Sequence, residues 1–293
     1  SFIMYILLKI VSYVFQVFPR VFALFVGRTL GSFFYYFIPL RKSIAMKNLE
    51  IAFPDWNSDK RKSLLHSSYR HYGMVLVDFF RLPKVNRAKD KIIVQIPQKS
   101  LKLLKQSPGG IIMSGHIGNW EYIGPSLGIH NIKCAGVAQI QRNSTSNQYF
   151  NELRRSENVK IIPVDGGSKM MIQTIQDGNY LGLISDQNAG RKGTEAQFFN
   201  SPVSVPKGAG AFHLKTNTPI LLGFCILSKD FTYHLSFEEL DVERLSDNSN
   251  EAILEINQRY SKLLEEAVRE YPQQYFWFHR KWARKNYKGL SRF

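Results

Sequence analysis

The chain has 293 residues, enough for one large domain or a domain with an appendage, and enough to bury a substantial core. Its 44% hydrophobic and 21% charged residues exclude a disordered or low-complexity protein. With 39 Lys and Arg against 23 Asp and Glu the net charge is +16, which favours an anionic partner: nucleic acid, an anionic membrane surface or a phosphorylated substrate.

The N-terminus selects among those partners. Residues 2 to 18, FIMYILLKIVSYVFQVF, carry one charge, Lys9, and residues 21 to 39, VFALFVGRTLGSFFYYFIP, carry Arg28; Pro19-Arg20 divides the two runs. No basic stretch precedes the first run and no small-residue cleavage site follows it, so the expectation is a retained segment rather than a removed signal peptide. Each run approaches the length of a bilayer span, but each has a charge near its middle. The two read as one membrane anchor or a pair of interfacial helices, with ordinary core helices as the alternative. The aromatic rings suit the headgroup layer, and Arg41, Lys42 and Lys47 follow where an anionic surface would lie.

Residues 43–53 and 58–82 read as helices, the second opened by Ser58 as cap and closed by Pro83. From about residue 90 short apolar runs (92–96, 110–114, 133–138, 159–163, 180–184, 219–227) alternate with helical stretches (98–106, 119–128, 146–156, 168–177, 207–217). That alternation predicts an α/β sheet with crossover helices. Cys134 and Cys225 fall inside apolar runs and read as buried thiols rather than a disulfide. A more polar strand is expected at 232–240. A final helix over 250–270 puts Ile253, Ile256, Tyr260, Leu263, Leu264 and Ala267 on one stripe, and Pro272 ends it.

The stretch GGIIMSGHIGNWEYIG, residues 109–124, is where chemistry is expected. On one helix the five residues from His116 to Glu121 turn the chain through about 500°, which would point the two side chains apart. The segment instead reads as strand GIIMS, a sharp exit at Gly115, and a new helix capped by Asn119, kept short or kinked by Pro125. His116 then lies at the carboxyl end of a strand, where ligands bind in open α/β sheets, with Glu121 in the first turn of the next helix. A loop of this length can fold the pair together, Glu121 orienting the imidazole and His116 accepting a proton from a nucleophile. A helix-capping loop with an incidental His stays open. Metal binding is disfavoured, because no His or Cys cluster accompanies the pair.

Gly-His-x-x-Asn-Trp-Glu after an apolar strand resembles the His-x4-Asp/Glu motif of the glycerolipid acyltransferase superfamily. Within it, the chain is most similar to the bacterial lipid A biosynthesis lauroyl and myristoyl acyltransferases. Four further segments agree, in the family's order: AQIQRNSTSNQYFNELRRS (138–156), KIIPVDGGSKMMIQTIQDGNYLGLISDQNAG (160–190), AQFFNSPVSVPKGAGAFHLKTNTPILLGF (196–224) and YPQQYFWFHRKW (271–282). Asn200 stands where the family usually has Gly, and Gln273 where it usually has Glu. The resemblance implies a central mixed sheet flanked by helices, with an apolar membrane-associating segment over 1–40 and an acyltransferase domain over 41–293. It implies transfer of a fatty acyl group from a thioester to a hydroxyl of a lipid A precursor, with no cofactor and no metal.

In that reading His116 and Glu121 form the general-base dyad. Asn119, Arg142, Arg154 (or its neighbour Arg155), Asp186 and Gln187 bind substrate or the oxyanion, and Asp186 could orient Arg154 or the acceptor. Expected partners are acyl carrier protein as donor, with coenzyme A as the alternative, the lipid acceptor and the membrane surface, at the cytoplasmic face of a bacterial inner membrane. A phosphatidylinositol mannoside, an aminolipid or a lysophospholipid is the alternative acceptor. The six Lys and Arg between 271 and 293, interleaved with Tyr275, Phe276, Trp277, Phe278 and Trp282, suit headgroups, lipid phosphates or an acidic carrier protein. Two other classes fit less well: nucleic-acid binding, for which no recognition motif is present, and lipid esterase, which lacks a Gly-x-Ser-x-Gly elbow.

Overall fold

The computed structural model describes residues 2–86, 93–138, 144–154, 158–164 and 167–290. Four helices come first: α1 (Phe2–Val17), α2 (Arg20–Phe37), α3 (Lys42–Ala52) and α4 (Ser58–Phe80). Asn57, one residue before the expected cap, starts α4: its side chain accepts from the Lys60 N–H at 2.8 Å. Pro83 does not end the helical run but sits in the first turn of a short α5 (Leu82–Asn86), where a missing N–H costs nothing.

The sheet is built from β1 (Val94–Gln95), β2 (Gly110–Ser114), β3 (Cys134–Ala138), β4 (Val159–Pro163), β5 (Tyr180–Ile184), β8 (Ile220–Leu227) and β9 (Tyr233–Glu239), in the order β1-β9-β8-β2-β5-β3-β4. Every pair is parallel except β8 with β9, so the sheet is mixed. Helices α6 (Gln98–Gln106), α7 (Ile123–Ile129), α8 (Ser144–Arg154), α9 (Ser168–Gln176), α10 (Gly208–Thr216) and α11 (Ser249–Glu270) flank it. Cys134 and Cys225 are free and buried.

Both faces of the sheet are covered, so β2 is buried throughout, and all its side chains but Ser114 are apolar or absent. Ile111 and Met113 join one core cluster with Ile256, Tyr260 and Leu264 of α11 and with Trp277 and Trp282. Ile112, pointing the other way, joins a second cluster with Phe79, Phe80 and Leu127. A hairpin of β6 (Thr194–Phe198) and β7 (Ser201–Val205) was not foreseen. Its two-residue turn puts Phe199 at φ 51° and Asn200 at φ 53°, so Asn at position 200 satisfies the left-handed geometry that a glycine also would.

Helix α2 lies against α4 at backbone contact. A Cβ added at Gly31 would stand 2.2 Å from the Tyr69 carbonyl oxygen, and one at Gly73 would stand 2.0 Å from that of Gly27. At the start of α2, Arg20 makes two hydrogen bonds to Asp78, Nε–H to Oδ1 at 3.0 Å and Nη2–H to Oδ2 at 2.8 Å. The far sides of α1 and α2 remain apolar and exposed, with Val21, Phe25, Tyr36 and Phe37 between 63% and 72% accessible. Among the described residues no single helix is long and apolar enough to cross a membrane. α2 and α3 meet that test only as a pair bent by 94°.

Candidate active site

Strand register builds the site. β2 and β5 run parallel with Ser114 opposite Ile184, and the Ser185 N–H continues the ladder to the Ser114 carbonyl at 2.9 Å. The second residues past the two carboxyl ends, His116 and Asp186, are therefore neighbours although 70 positions separate them. One carboxylate binds the histidine twice: the His116 main-chain N–H donates to Oδ2 at 3.0 Å, and Nδ1 lies 2.6 Å from Oδ1. A carboxylate only accepts, so Nδ1 carries the hydrogen, and it is Nε2 that can present a lone pair when the ring carries a single proton. Burial alone would raise the Asp186 carboxyl. The facing His116, its hydrogen bond and the nearby Lys281 and His279 more than offset that and hold it well below the ordinary carboxylate range.

The His116 backbone is pinned as firmly. Its carbonyl accepts from the Phe276 N–H at 2.8 Å and from the Tyr72 hydroxyl at 3.1 Å. Gly118 donates to the Gln274 carbonyl at 2.9 Å, and its φ of 62° brings it so close to β8 that a Cβ would stand 1.9 Å from the Cys225 oxygen. The Gln274 side chain is bonded at both ends to Leu227, donating to its carbonyl at 2.7 Å and accepting from its N–H at 2.9 Å. Around the imidazole stand Trp120 (ring centroids 4.6 Å apart), His279 (4.7 Å) and Phe276 (6.1 Å). Burial, then the neighbouring His116, pushes His279 down to about 4, so it is neutral at physiological pH. Lys281 is buried, and its Nζ donates to the Asp186 main-chain carbonyl at 2.6 Å. Desolvation lowers that ammonium to about 8, with Asp186 acting the other way, which leaves it mostly charged near neutrality.

A histidine with one nitrogen tied to a buried carboxylate and the other free is equipped to take a proton from a hydroxyl. The comparisons with known proteins say which chemistry surrounds it. A family model described as bacterial lipid A biosynthesis acyltransferase matches residues 1–284. The chain belongs to that family. It is 23% identical over 266 residues to the lipid A biosynthesis palmitoleoyltransferase of Escherichia coli (strain K12), covering 88% of this chain and 83% of that protein. It is 24% identical over 171 residues to the phosphatidylinositol mannoside acyltransferase of Mycobacterium tuberculosis (strain ATCC 25618 / H37Rv), covering 55% and 54% respectively. Among solved structures, the 1-acyl-sn-glycerophosphate acyltransferase of Thermotoga maritima aligns with a TM-score of 0.40 and 12% identity, over 84% of this chain and 96% of that one.

The His-x4-Glu stretch is laid out differently from the expectation. Glu121 lies in a 3₁₀ turn (Trp120–Tyr122), and both its oxygens are taken by Arg154, Nε–H to Oε2 at 2.8 Å and Nη2–H to Oε1 at 2.6 Å. The carboxylate at His116 Nδ1 is that of Asp186, where Glu121 was expected. Two of the five N–H groups of Arg154 are thus taken by Glu121, and its guanidinium lies 5.3 Å from the centre of the Phe79 ring. Asn119 is fully buried and makes no side-chain cap; its Nδ2 donates to the Tyr233 hydroxyl at 3.3 Å and its N–H to the Cys225 carbonyl. Gln187 is exposed beside Asp186, and Arg142 lies outside the described residues. Lys281, Tyr72 and Trp120 were not singled out as site residues. The segment FWFHRKW resembles a family signature, but nothing in its sequence indicates that it packs against His116. A surface depression of about 400 Å³, bordered by His234 and Glu238 of β9 and by Leu263, Glu266 and Glu270 of α11, is lined by neither His116 nor Asp186.

Proposed function

We propose that this protein transfers a fatty acyl chain from an acyl carrier protein thioester to a hydroxyl of a lipid A precursor, with His116 as general base. The observation that carries this is the 2.6 Å contact of His116 Nδ1 with the buried Asp186 carboxylate. In the proposed step Nε2 takes the acceptor hydroxyl's proton while the oxygen attacks the thioester carbonyl. The tetrahedral intermediate collapses with rupture of the C–S bond, and the imidazolium, stabilised by Asp186, returns the proton to the departing thiolate. The bidentate Glu121–Arg154 pair holds the turn that places Trp120 against the imidazole.

The apolar outer faces of α1 and α2 supply a surface for the membrane in which such an acceptor resides, with the exposed Arg28 and Arg41 near anionic headgroups. The setting this fits is the cytoplasmic face of a bacterial inner membrane. The relatives named for phosphatidylinositol mannoside support a second acceptor, a glycosylated phospholipid. The test is to incubate the protein in phospholipid vesicles with acyl carrier protein thioester or acyl-coenzyme A and each acceptor, and to read the products by mass spectrometry. Acylated lipid A precursor, lost in His116→Ala and Asp186→Asn, is the expected result. Undiminished transfer by either variant would overturn the mechanism, and acylation of the mannoside alone would change the acceptor.

A further inference from the structure

The base and its carboxylate are held from below by a cation that no catalytic step uses. Lys281 is 2% exposed, in a chain whose other cations are largely at the surface. An ammonium that leaves water loses several kcal/mol of hydration unless its hydrogens find acceptors. One hydrogen goes to the Asp186 carbonyl at 2.6 Å, and the Nζ also stands 4.8 Å from the centre of the Phe198 ring. The bond is returned: Asn188 Nδ2, two residues past Asp186, donates to the Lys281 carbonyl at 3.2 Å and to the Trp282 carbonyl at 2.7 Å. The loop that carries Asp186 off β5 is thus clamped at both ends to one short segment after α11. That segment also presents Phe276 and His279 to the imidazole.

A tether alone needs only a neutral donor. A charge here does more, because the Asp186 carboxylate is itself buried and is stabilised by a nearby positive group at either protonation state of His116. We infer that Lys281 is a positioning residue for acyl transfer: its buried ammonium holds the Asp186 main chain in place and favours the ionised carboxylate that orients His116. This rests on the reading of His116 and Asp186 given above, and adds to it a residue that never touches substrate.

The experiment compares Lys281→Met, Lys281→Gln and Lys281→Arg in the full-length chain in vesicles, with circular dichroism as a check of fold. Two readouts are followed: the steady-state constants, and the downfield proton resonance of the hydrogen shared between His116 Nδ1 and Asp186 in protein labelled with ¹⁵N-histidine. A neutral residue at 281 is expected to lower kcat about 30-fold with KM for both substrates nearly unchanged, a loss smaller than the roughly 10²- to 10⁴-fold that a general base itself contributes. The same variants should shift or broaden the downfield resonance, and Lys281→Arg should recover most of kcat and the resonance. Should Lys281→Met not fold, Lys281→Gln, which keeps a donor in the cavity, carries the comparison. Wild-type kcat and an unmoved resonance in a folded neutral variant would overturn the inference, as would a loss that Arg does not restore. Asp186→Asn serves as the control that separates the two ideas: if it abolishes the resonance and transfer while Lys281→Met leaves both intact, only the role of Lys281 fails.

Discussion

Two buried aspartates are used in opposite ways. Asp78, on α4, is closed off: Arg20 binds both its oxygens and the Tyr233 hydroxyl donates to Oδ2 at 3.0 Å. Asp186, at the sheet edge, also accepts twice, but both bonds come from His116, whose side chain remains 13% exposed. Arg20 cannot lose its proton, so the first pair can only hold α2 to α4 and to β9. The second holds a ring that can gain and lose one, and leaves its other nitrogen available. What separates a structural ion pair from a working one is therefore the partner's chemistry and its access to solvent, not the burial of the acid.

That contrast is broken or sharpened by four measurements. Asp186→Asn is expected to lower kcat of the folded protein by about 10³- to 10⁴-fold, by presenting Nδ1 with a partner that can donate, and to cost stability as well, because the fold favours the ionised carboxylate. Mass-spectrometric turnover against calorimetry checks both halves. Asp78→Asn should cost stability alone: Arg20 is left buried without a counter-charge, at a cost of about 3–5 kcal/mol, while turnover per folded molecule is retained. Urea unfolding with parallel activity measurement decides it, and a large loss of turnover in the folded fraction would contradict the division of labour.

His71 offers a smaller effect of a third kind, a buried base with no acid beside it. Its Nε2–H donates to the Gly118 carbonyl at 3.3 Å, and desolvation lowers it to about 4, against that hydrogen bond. The unfolded chain binds the proton near 6.5 and the folded chain only near 4, so stability is full above pH 6.5 and falls as pH drops towards 4. The His71 share is about 3 kcal/mol from a shift of this size. Thermal unfolding between pH 7 and 4 should fall less steeply in His71→Gln than in the wild type. Smallest is Glu121→Gln, which removes a partly exposed bidentate partner of Arg154 and should cost about 1–3 kcal/mol. Its turnover should fall far less than that of Asp186→Asn. Equal losses would return the orienting role to Glu121.

Much of the fold was legible because it rests on local periodicity. The stripe of Ile253, Ile256, Tyr260 and Leu264 is α11, the run 110–114 is β2, and the kink expected of Pro125 is the 3₁₀ turn before α7. The β6–β7 hairpin was missed because its turn is Phe-Asn, without the glycine that usually marks one. Asn119 has the composition of a cap, but it is buried with its Nδ2 on the Tyr233 hydroxyl and its side chain makes no bond to a helix amide.

The sequence by itself determined that a histidine leaves a buried strand through Gly115, that apolar runs alternate with helices as in an α/β sheet, and that the N-terminal helices are apolar enough to face either a membrane surface or a core. Each follows from residues close together in the chain. Which acid serves His116 was decided only by the tertiary structure. Glu121, five positions away, is carried by its turn towards Arg154, while Asp186, 70 positions away, is brought alongside by the pairing of β2 with β5. Parallel register is a long-range property, set by which strands bury best together, and no spacing in the chain records it.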